Sequence, residues 1–145
     1  MKNSIPTNRN KSSEIILTAL FTLFILCSFN TVHAQAPKKW VAPAAADQLK
    51  NPVASDANGL KDAKKLYITN CAPCHGNGGK GDGIASASVN PKPADHTSAA
   101  VQKETDGSLY WKLTEGRSPM PSYKQILTDN QRWQLINFIR SLAKK

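Results

Sequence analysis

The pentapeptide Cys71-Ala72-Pro73-Cys74-His75 is the most informative stretch of this 145-residue chain. Two cysteines two residues apart, followed directly by a histidine, form the attachment signature of c-type haem. In that chemistry each thiol adds to one of the two vinyl groups of the porphyrin, and the adjacent histidine offers its imidazole to the iron. The motif therefore predicts one covalently bound haem, with Cys71 and Cys74 as attachment residues and His75 as an iron ligand.

A CxxC pair also occurs in zinc sites and in thioredoxin-like redox sites. A structural zinc site combines the pair with a second, distant pair of ligands, and here only His96 follows the motif at a moderate distance. A redox CxxC follows a strand in a βαβ context, whereas this chain has little of the alternating pattern of strands. The motif favours haem, and zinc and redox chemistry stay open at this point.

Residues 1–34 have the features of an export signal. A basic start precedes an apolar run at residues 15–29, and a small-residue cleavage pattern ends at Ala34. The apolar run is shorter than the roughly 20 residues of a membrane-spanning helix. We therefore expect cleavage after Ala34 and a periplasmic protein. The alternative is an uncleaved leader that anchors the protein in the membrane.

Removal of residues 1–34 would simplify the inventory of reactive side chains. The three cysteines become two, both in the motif, the three histidines become His75 and His96, and the two methionines become Met120 alone. No structural disulfide is then expected within one mature chain, because both remaining cysteines belong to the motif. The remaining 111 residues (145 minus 34) suffice for one small domain.

The charge balance indicates the kind of partner. The full chain has 19 Lys and Arg against 10 Asp and Glu, a formal net charge of +9. The leader contains three of the cations and one of the acids, so the mature chain keeps 16 against 9, a net charge of +7. Basic and aromatic residues do not alternate as in nucleic-acid-binding segments, so nucleic acid is not expected. We expect redox partner proteins with acidic docking surfaces, because opposite charge steers encounter, and the alternative is affinity for anionic lipid headgroups.

The sequence predicts three helices and no convincing strand. The first covers residues 59–70, where apolar residues recur at spacings of three and four, and its end delivers Cys71. The second covers residues 106–115. The last begins after Thr128, which forms a capping box with Gln131, and continues to the end of the chain.

The other segments are predicted to be irregular. Residues 35–58 are rich in Ala, Pro, Asn and Asp, which indicates a linker or a loosely packed arm that Trp40 could pin to the domain. The domain itself is predicted at residues 59–145. Residues 76–83 form a glycine-rich loop, whose glycines let the backbone pass close to the haem edge. Prolines interrupt residues 84–104.

A haem iron with one histidine ligand has a second axial position to fill. Met120 is the candidate, because it lies between two prolines in a predicted loop, where core packing is the weaker explanation. A thioether ligand raises the reduction potential relative to a second histidine. His96 is the competing ligand. The far ring nitrogen of His75 is expected to bind a backbone carbonyl, that of Pro91 or Pro93.

Several segments of the predicted domain carry a joint pattern. They are an aromatic residue four positions before the first cysteine (Tyr67), CAPCHG at 71–76, GKGDG at 79–83, DGSLYWKLTEG at 106–116, MPSY at 120–123 and RWQLINFIRSL at 132–142. Together these segments resemble class I cytochromes c, near the cbb3-oxidase-type subgroup. The resemblance extends over residues 59–143 and therefore over nearly all of the predicted domain.

The resemblance implies an all-α cytochrome c fold, with three to four helices around the covalently attached haem. In this family the first and last helices cross, with an aromatic residue from each in contact. By position these residues are Tyr67 and Phe138, with Ala63 and Leu135 in the same crossing. Trp111 resembles the aromatic residue that lines the haem or meets a propionate, and core packing is the alternative explanation.

The resemblance also implies a function, electron transfer by a monohaem cytochrome with His75 and Met120 on the iron. Such a protein would act as a periplasmic electron shuttle. The alternative is a cytochrome c subunit of a larger dehydrogenase or terminal oxidase complex. In either case we expect an electron carrier that is not an enzyme on its own. An iron without a second ligand would instead favour ligand sensing or peroxidase chemistry. Five cations are predicted to face the partner: Lys80, Lys92, Lys112, Arg117 and Lys124.

Overall fold

Helices form the regular structure of residues 39–143, the part of the chain that the computed structural model describes. The predicted leader, residues 1–34, lies outside this part. The helices are α1 (Ala57–Asn70), α2 (Ala72–His75), α3 (Ala99–Gln102), α4 (Asp106–Glu115) and α5 (Asp129–Leu142), with 3₁₀ turns at Ala44–Gln48 and Ser86–Ser88. The strand-like pairing within residues 39–143 is a single bridge between Arg117 and Met120. No helix in the same range is long and apolar enough to cross a membrane. The all-α prediction is confirmed.

The three long helices lie where the sequence predicts them, with small shifts at their ends. α1 begins at Ala57 rather than Gly59, because the Asp56 carboxylate caps it by accepting a hydrogen bond of 2.8 Å from the Gly59 amide. α4 has the predicted bounds. α5 has the predicted capping box of Thr128 and Gln131, and it ends before the last residues of the chain.

The sequence does not predict the two four-residue helices, since a single turn is too short to show an apolar period. α3 lies within residues 84–104, which are predicted to be irregular. Ser98 caps it by accepting a hydrogen bond from the Val101 amide, and the Val101 side chain is buried. A cap and one buried side chain are therefore enough to form this turn.

The crossing of α1 and α5 is the most extensive contact between helices in residues 39–143. The ring centroids of Tyr67 and Phe138 lie 5.0 Å apart, and the ring planes are tilted by 51°. Ala63 and Leu135 are both 0% exposed. The small side chain of Ala63 lets the two helix backbones approach, and the aromatic contact implied by the resemblance is confirmed.

Residues 39–53, most of the predicted linker or arm, pack against the helices. The 3₁₀ turn Ala44–Gln48 lies against α4. There the Asp47 carboxylate accepts hydrogen bonds from the hydroxyls of Thr105 at 2.7 Å and Ser108 at 2.9 Å. These bonds lower the pKa of Asp47 below its ordinary value, because the hydroxyls donate to the charged carboxylate.

A second set of bonds holds the arm to α5. The Asn51 side-chain amide donates to the Asn137 side chain at 2.9 Å and to the Trp133 carbonyl at 3.3 Å. The Asn137 amide in turn donates to the Val53 carbonyl at 3.0 Å. Polar side chains rather than an apolar stripe anchor the segment. Because such contacts leave no apolar pattern in the sequence, its composition predicts a looser arm than the structure shows.

Trp40 pins the start of the arm, as predicted. Its ring meets Trp111 edge-on with centroids 6.3 Å apart, and the Lys112 ammonium and the Arg117 guanidinium lie 5.6 and 4.9 Å from its centroid. Lys112 is also ion-paired with Glu104, and its side chain is only 13% exposed. The prediction that Lys112 faces a partner is therefore wrong, because this cation is held in internal contacts.

Phe138→Ala tests the helix crossing. We expect a loss of about 3–5 kcal/mol in the free energy of unfolding, because the ring leaves a cavity against Tyr67. Denaturant unfolding of the haem-loaded protein measures it. Ile126→Ala is the control, because Ile126 is 57% exposed and should change stability by less than about 0.5 kcal/mol. Equal stabilities of the two variants would contradict the role of the crossing.

Gly107→Ala tests the docking of the arm on α4. A Cβ at Gly107 would lie 1.9 Å from the Ala46 carbonyl oxygen, whereas a Cβ at Gly78 would meet nothing within 4 Å. We expect Gly107→Ala to lower the free energy of unfolding by about 1–3 kcal/mol and to speed proteolysis of the arm. Gly78→Ala is the matched control and should leave both unchanged. An arm that resists proteolysis equally in both variants would show that the contact is dispensable.

Candidate haem site

The pentapeptide lies in a tight turn at the end of α1. The Cys71 amide donates to the Tyr67 carbonyl at 2.8 Å, so Cys71 continues the helical bonding of α1. The Cys71 carbonyl then accepts from the amides of Cys74 at 3.1 Å and His75 at 2.8 Å, which starts α2. Residues three apart in a helical turn lie on one face. The fold therefore presents the two thiols together and follows them at once with the imidazole.

The state of the two cysteines does not favour a thioredoxin-like site. Both are free thiols; Cys71 is buried and Cys74 is half-buried. Burial raises the pKa of the Cys71 thiol to about 12, and the neighbouring Cys74 adds to the shift. A redox cysteine needs a lowered pKa to react as a thiolate. The motif also follows a helix rather than the strand that such a site requires.

His75 is oriented through one of its two ring nitrogens. Its Nδ1 lies 2.9 Å from the Ala94 carbonyl oxygen. A carbonyl can only accept, so Nδ1 carries the proton and Nε2 keeps a free lone pair. The prediction of the Pro91 or Pro93 carbonyl is therefore wrong, because the acceptor is that of Ala94, the residue after Pro93. His75 fits a haem iron, because a neutral imidazole with a proton on Nδ1 and a free lone pair on Nε2 is the form that binds a metal.

His96 lies directly against His75. The two ring centroids are 4.1 Å apart and the planes are 18° from parallel. The His96 Nδ1 lies 2.9 Å from the Tyr67 hydroxyl oxygen. Burial lowers the pKa of His96 to about 3, with a further lowering by His75, so the ring is neutral at pH 7. Burial also lowers the pKa of His75, against an opposite effect of its bond to Ala94.

The stacking of His75 on His96 argues against two alternatives, His96 as the second iron ligand and a zinc site. Two rings in face-to-face contact cannot point their nitrogens at an iron from opposite sides, so this arrangement of His75 and His96 does not suit a bis-histidine haem. A tetrahedral zinc site needs ring nitrogens that converge on one point, and stacked rings do not. Within residues 39–143, no group of three or more His, Cys, Asp or Glu side chains is arranged to hold a metal ion.

The glycine-rich loop returns over the motif. The Gly81 amide donates to the His75 carbonyl at 2.8 Å, and the Gly83 amide donates to the Cys74 carbonyl at 3.1 Å. Gly79 has a φ of +77°, and a Cβ there would lie 2.7 Å from the Leu142 side chain. These glycines thus let the loop backbone come close to the backbone of the motif and to α5.

The Met120 loop is built from backbone bonds. Arg117 and Met120 exchange two hydrogen bonds, of 3.0 Å and 2.9 Å. The Ser122 hydroxyl donates to the Thr114 carbonyl of α4 at 2.6 Å. The Tyr123 hydroxyl donates to the carbonyl of Asn70 at 2.6 Å, one residue before the motif. Met120 itself is half-buried and packs against the apolar core.

A buried arginine of α5 holds the far end of this loop. Arg132 is 4% exposed, and its guanidinium donates to the carbonyls of Leu127 at 2.6 Å, Lys124 at 3.1 Å and Tyr123 at 3.4 Å. It also contacts the Asp129 carboxylate. The sequence does not reveal this role, since loop carbonyls that bind an arginine leave no side-chain pattern.

The family of the chain follows from a match that includes both the motif and the loop. The sequence model of the cytochrome c family matches residues 60–143, more than half of the 145 residues. This chain belongs to the cytochrome c family. Covalently attached haem c, with its iron, is the cofactor of this cytochrome c, and membership of the family implies electron transfer. The class I fold is confirmed, and the cbb3-type subgroup stays a prediction.

This cytochrome c is also similar to a solved structure. The structure is a chain of the reducing HAO-like protein complex of Kuenenia stuttgartiensis, with a TM-score of 0.59 and 28% sequence identity. The match covers 72% of this chain and 52% of that chain. The cytochrome c described here thus spans about half the length of that neighbour.

Tyr123→Phe tests the bond between the Met120 loop and the end of α1. The change removes one hydroxyl and leaves the Asn70 carbonyl without its donor, so we expect a loss of about 1–3 kcal/mol in the free energy of unfolding. Denaturant unfolding of the haem-loaded protein measures it. Ser118→Ala, an exposed change in the same loop, is the control. A stability equal to that of the wild type would mean that the two segments are not linked by this hydroxyl.

Proposed function

We propose that this cytochrome c holds one haem through thioethers from Cys71 and Cys74, and that His75 Nε2 and Met120 Sδ bind its iron. The observation that carries the proposal is the hydrogen bond from His75 Nδ1 to the Ala94 carbonyl at 2.9 Å. It fixes the tautomer and leaves Nε2 as the nitrogen available to a metal. The two thiols in the preceding turn complete the attachment set.

Met120 supplies the second ligand in this proposal. When bound, the haem provides a one-electron couple at its iron. A thioether ligand raises the potential of that couple relative to a second histidine. The bonds of the Met120 loop to α4, and through Tyr123 to Asn70, restrain the loop and so favour retention of the proposed ligand when the iron changes oxidation state. A site that keeps its ligands suits electron transfer, and no substrate bond is broken.

We infer that the protein works outside the cytoplasm as a periplasmic electron shuttle and is not an enzyme by itself. The basic start, apolar run and small-residue cleavage pattern of residues 1–34 support export. The net charge of +7 left after cleavage (16 cations against 9 acids) supports partners with acidic docking surfaces.

Met120→Ala tests the ligand set. We expect loss of the weak red absorption band that marks methionine-bound ferric haem, together with a lower midpoint potential. Optical spectra and a redox titration of the haem-loaded protein measure both. Ile126→Ala is the control. Ile126 is exposed and follows the Met120 loop in the sequence, so this variant should keep the band. Retention of the band in Met120→Ala would overturn the assignment of Met120, and rapid cyanide binding by the unaltered protein would indicate an open iron.

A second candidate function is that of a subunit in a larger oxidoreductase complex. Ile84 is 96% exposed and Ile68 is 39% exposed. Both side chains line one surface depression together with Pro73, which lies between the two attachment cysteines in the sequence. Exposed apolar side chains beside a functional motif are typical of a protein interface. Lys61, Lys64 and Lys65 lie around Ile68. The structural neighbour is a chain of a complex, which supports the same reading.

Ile84→Ser distinguishes the two functions. In the subunit function, the protein isolated from its native source elutes from a sizing column with a larger partner, and Ile84→Ser releases it as a free chain. Ile126→Ser is the matched control, since Ile126 is also exposed, at 57%, but is not in this depression. Elution of the unaltered protein as a free chain at physiological salt would favour the shuttle.

A further inference from the structure

His96 is a half-buried histidine that neither haem attachment nor the proposed ligand set uses. Its ring covers one face of His75, with 4.1 Å between the centroids and 18° between the planes. The edge of the His75 ring is held separately, by the bond from Nδ1 to the Ala94 carbonyl. The proposed iron ligand is therefore restrained at one edge and on one face.

The position of His96 is itself fixed from three directions. Its backbone amide donates to the Gly79 carbonyl at 2.6 Å. Its carbonyl accepts from the Gln102 side chain at 2.6 Å, and the same amide group of Gln102 also donates to the Ile139 carbonyl of α5 at 3.1 Å. The imidazole Nδ1 lies 2.9 Å from the Tyr67 hydroxyl oxygen. Both backbone and side chain thus hold the ring against His75.

Tyr67 connects this arrangement to the helix crossing. It is 0% exposed, and its ring lies 5.0 Å from Phe138 on one side and 5.8 Å from His96 on the other, measured between centroids. Four rings therefore form a continuous series of contacts, from Phe138 through Tyr67 and His96 to His75.

We propose that His96 is a positioning residue that fixes the ring plane of His75 and couples it, through Tyr67, to the crossing of α1 and α5. The inference rests on the proposed function, because it gives His75 the role of iron ligand. A single hydrogen bond at Nδ1 lets the imidazole rock about the direction of that bond. A flat, anchored ring against one face blocks the rocking and so sets one plane.

The orientation of the His75 ring plane has a spectroscopic signature that a change in protein stability alone does not alter. In low-spin ferric haem, the angle of the imidazole plane contributes, together with the other axial ligand, to the energy separation of the iron d orbitals and thus to the g values in electron paramagnetic resonance. One fixed plane gives a narrow signal, and a range of planes gives a broad and shifted one.

The experiment compares three variants of the haem-loaded ferric protein with the wild type. His96→Leu removes both the flat ring and its bond to Tyr67. His96→Phe keeps a flat ring that can stack on His75. Tyr67→Phe keeps both rings and removes only the hydroxyl that anchors His96. Thr105→Ala is the control for lost stability, because Thr105 caps α4 and has no bond to either histidine.

We expect His96→Leu to broaden and shift the g signal, His96→Phe to restore it toward the wild type, and Tyr67→Phe to broaden it to a smaller extent. A wild-type signal in His96→Leu would overturn the inference, as would equal broadening in His96→Phe or in Thr105→Ala. If His96→Leu does not assemble with haem, Tyr67→Phe decides: a broadened signal supports the inference and an unchanged one overturns it.

The same measurement separates this inference from the proposed function. If the wild-type protein has no histidine-bound low-spin signal, the proposed function fails and this inference fails with it. If the wild type has that signal and the variants match it, the proposed function stands and His96 is not a positioning residue.

Discussion

The packing of α1 against α5 is the contact on which the rest of the structure depends. Ala63 and Leu135 are fully buried where the two helices meet, and Tyr67 packs against Phe138. The direction of α1 sets the position of the motif, because the hydrogen bond from the Cys71 amide to the Tyr67 carbonyl continues the bonding of this helix into the motif. A displacement at the crossing would therefore reach the motif through the helix backbone and reach His75 through the stacked rings.

The loops around the site are held mostly by backbone groups and by side chains of α5. The glycine-rich loop is bonded to the carbonyls of Cys74 and His75. The far end of the Met120 loop is bonded to Arg132. A second arginine, Arg140, donates to the Gln102 carbonyl at 3.0 Å and to the Asp106 carboxylate at 2.8 Å. One helix thus packs its apolar face on α1 and fixes the surrounding loops with its cations.

What the sequence could predict depended on side-chain patterns. The long helices were predicted from their apolar period and from caps such as Thr128, and the cofactor from the spacing of Cys71, Cys74 and His75. The contact between Tyr67 and Phe138 came from the family resemblance. All three kinds of signal are carried by residue identity, so they can be read without coordinates.

The features that were missed are carried by backbone groups or by long-range contacts. The acceptor for His75 is a carbonyl, and a carbonyl of Ala94 cannot be told in the sequence from those of its neighbouring prolines. The stacking of His96 on His75 depends on the fold of the segment between them. Asp47 and Asn51 hold the arm through partners more than 50 residues away, so their composition alone indicated a linker.

The depth of Cys71 has a consequence for the order of events during maturation. Only 8% of this residue is exposed, and it belongs to the apolar core at the C-terminal end of α1. A modifying enzyme must touch the thiol that it joins to a cofactor, and it cannot do so through packed helices. If Cys71 carries the proposed thioether, that bond forms while the chain is still open, and the apolar core packs around Cys71 afterwards.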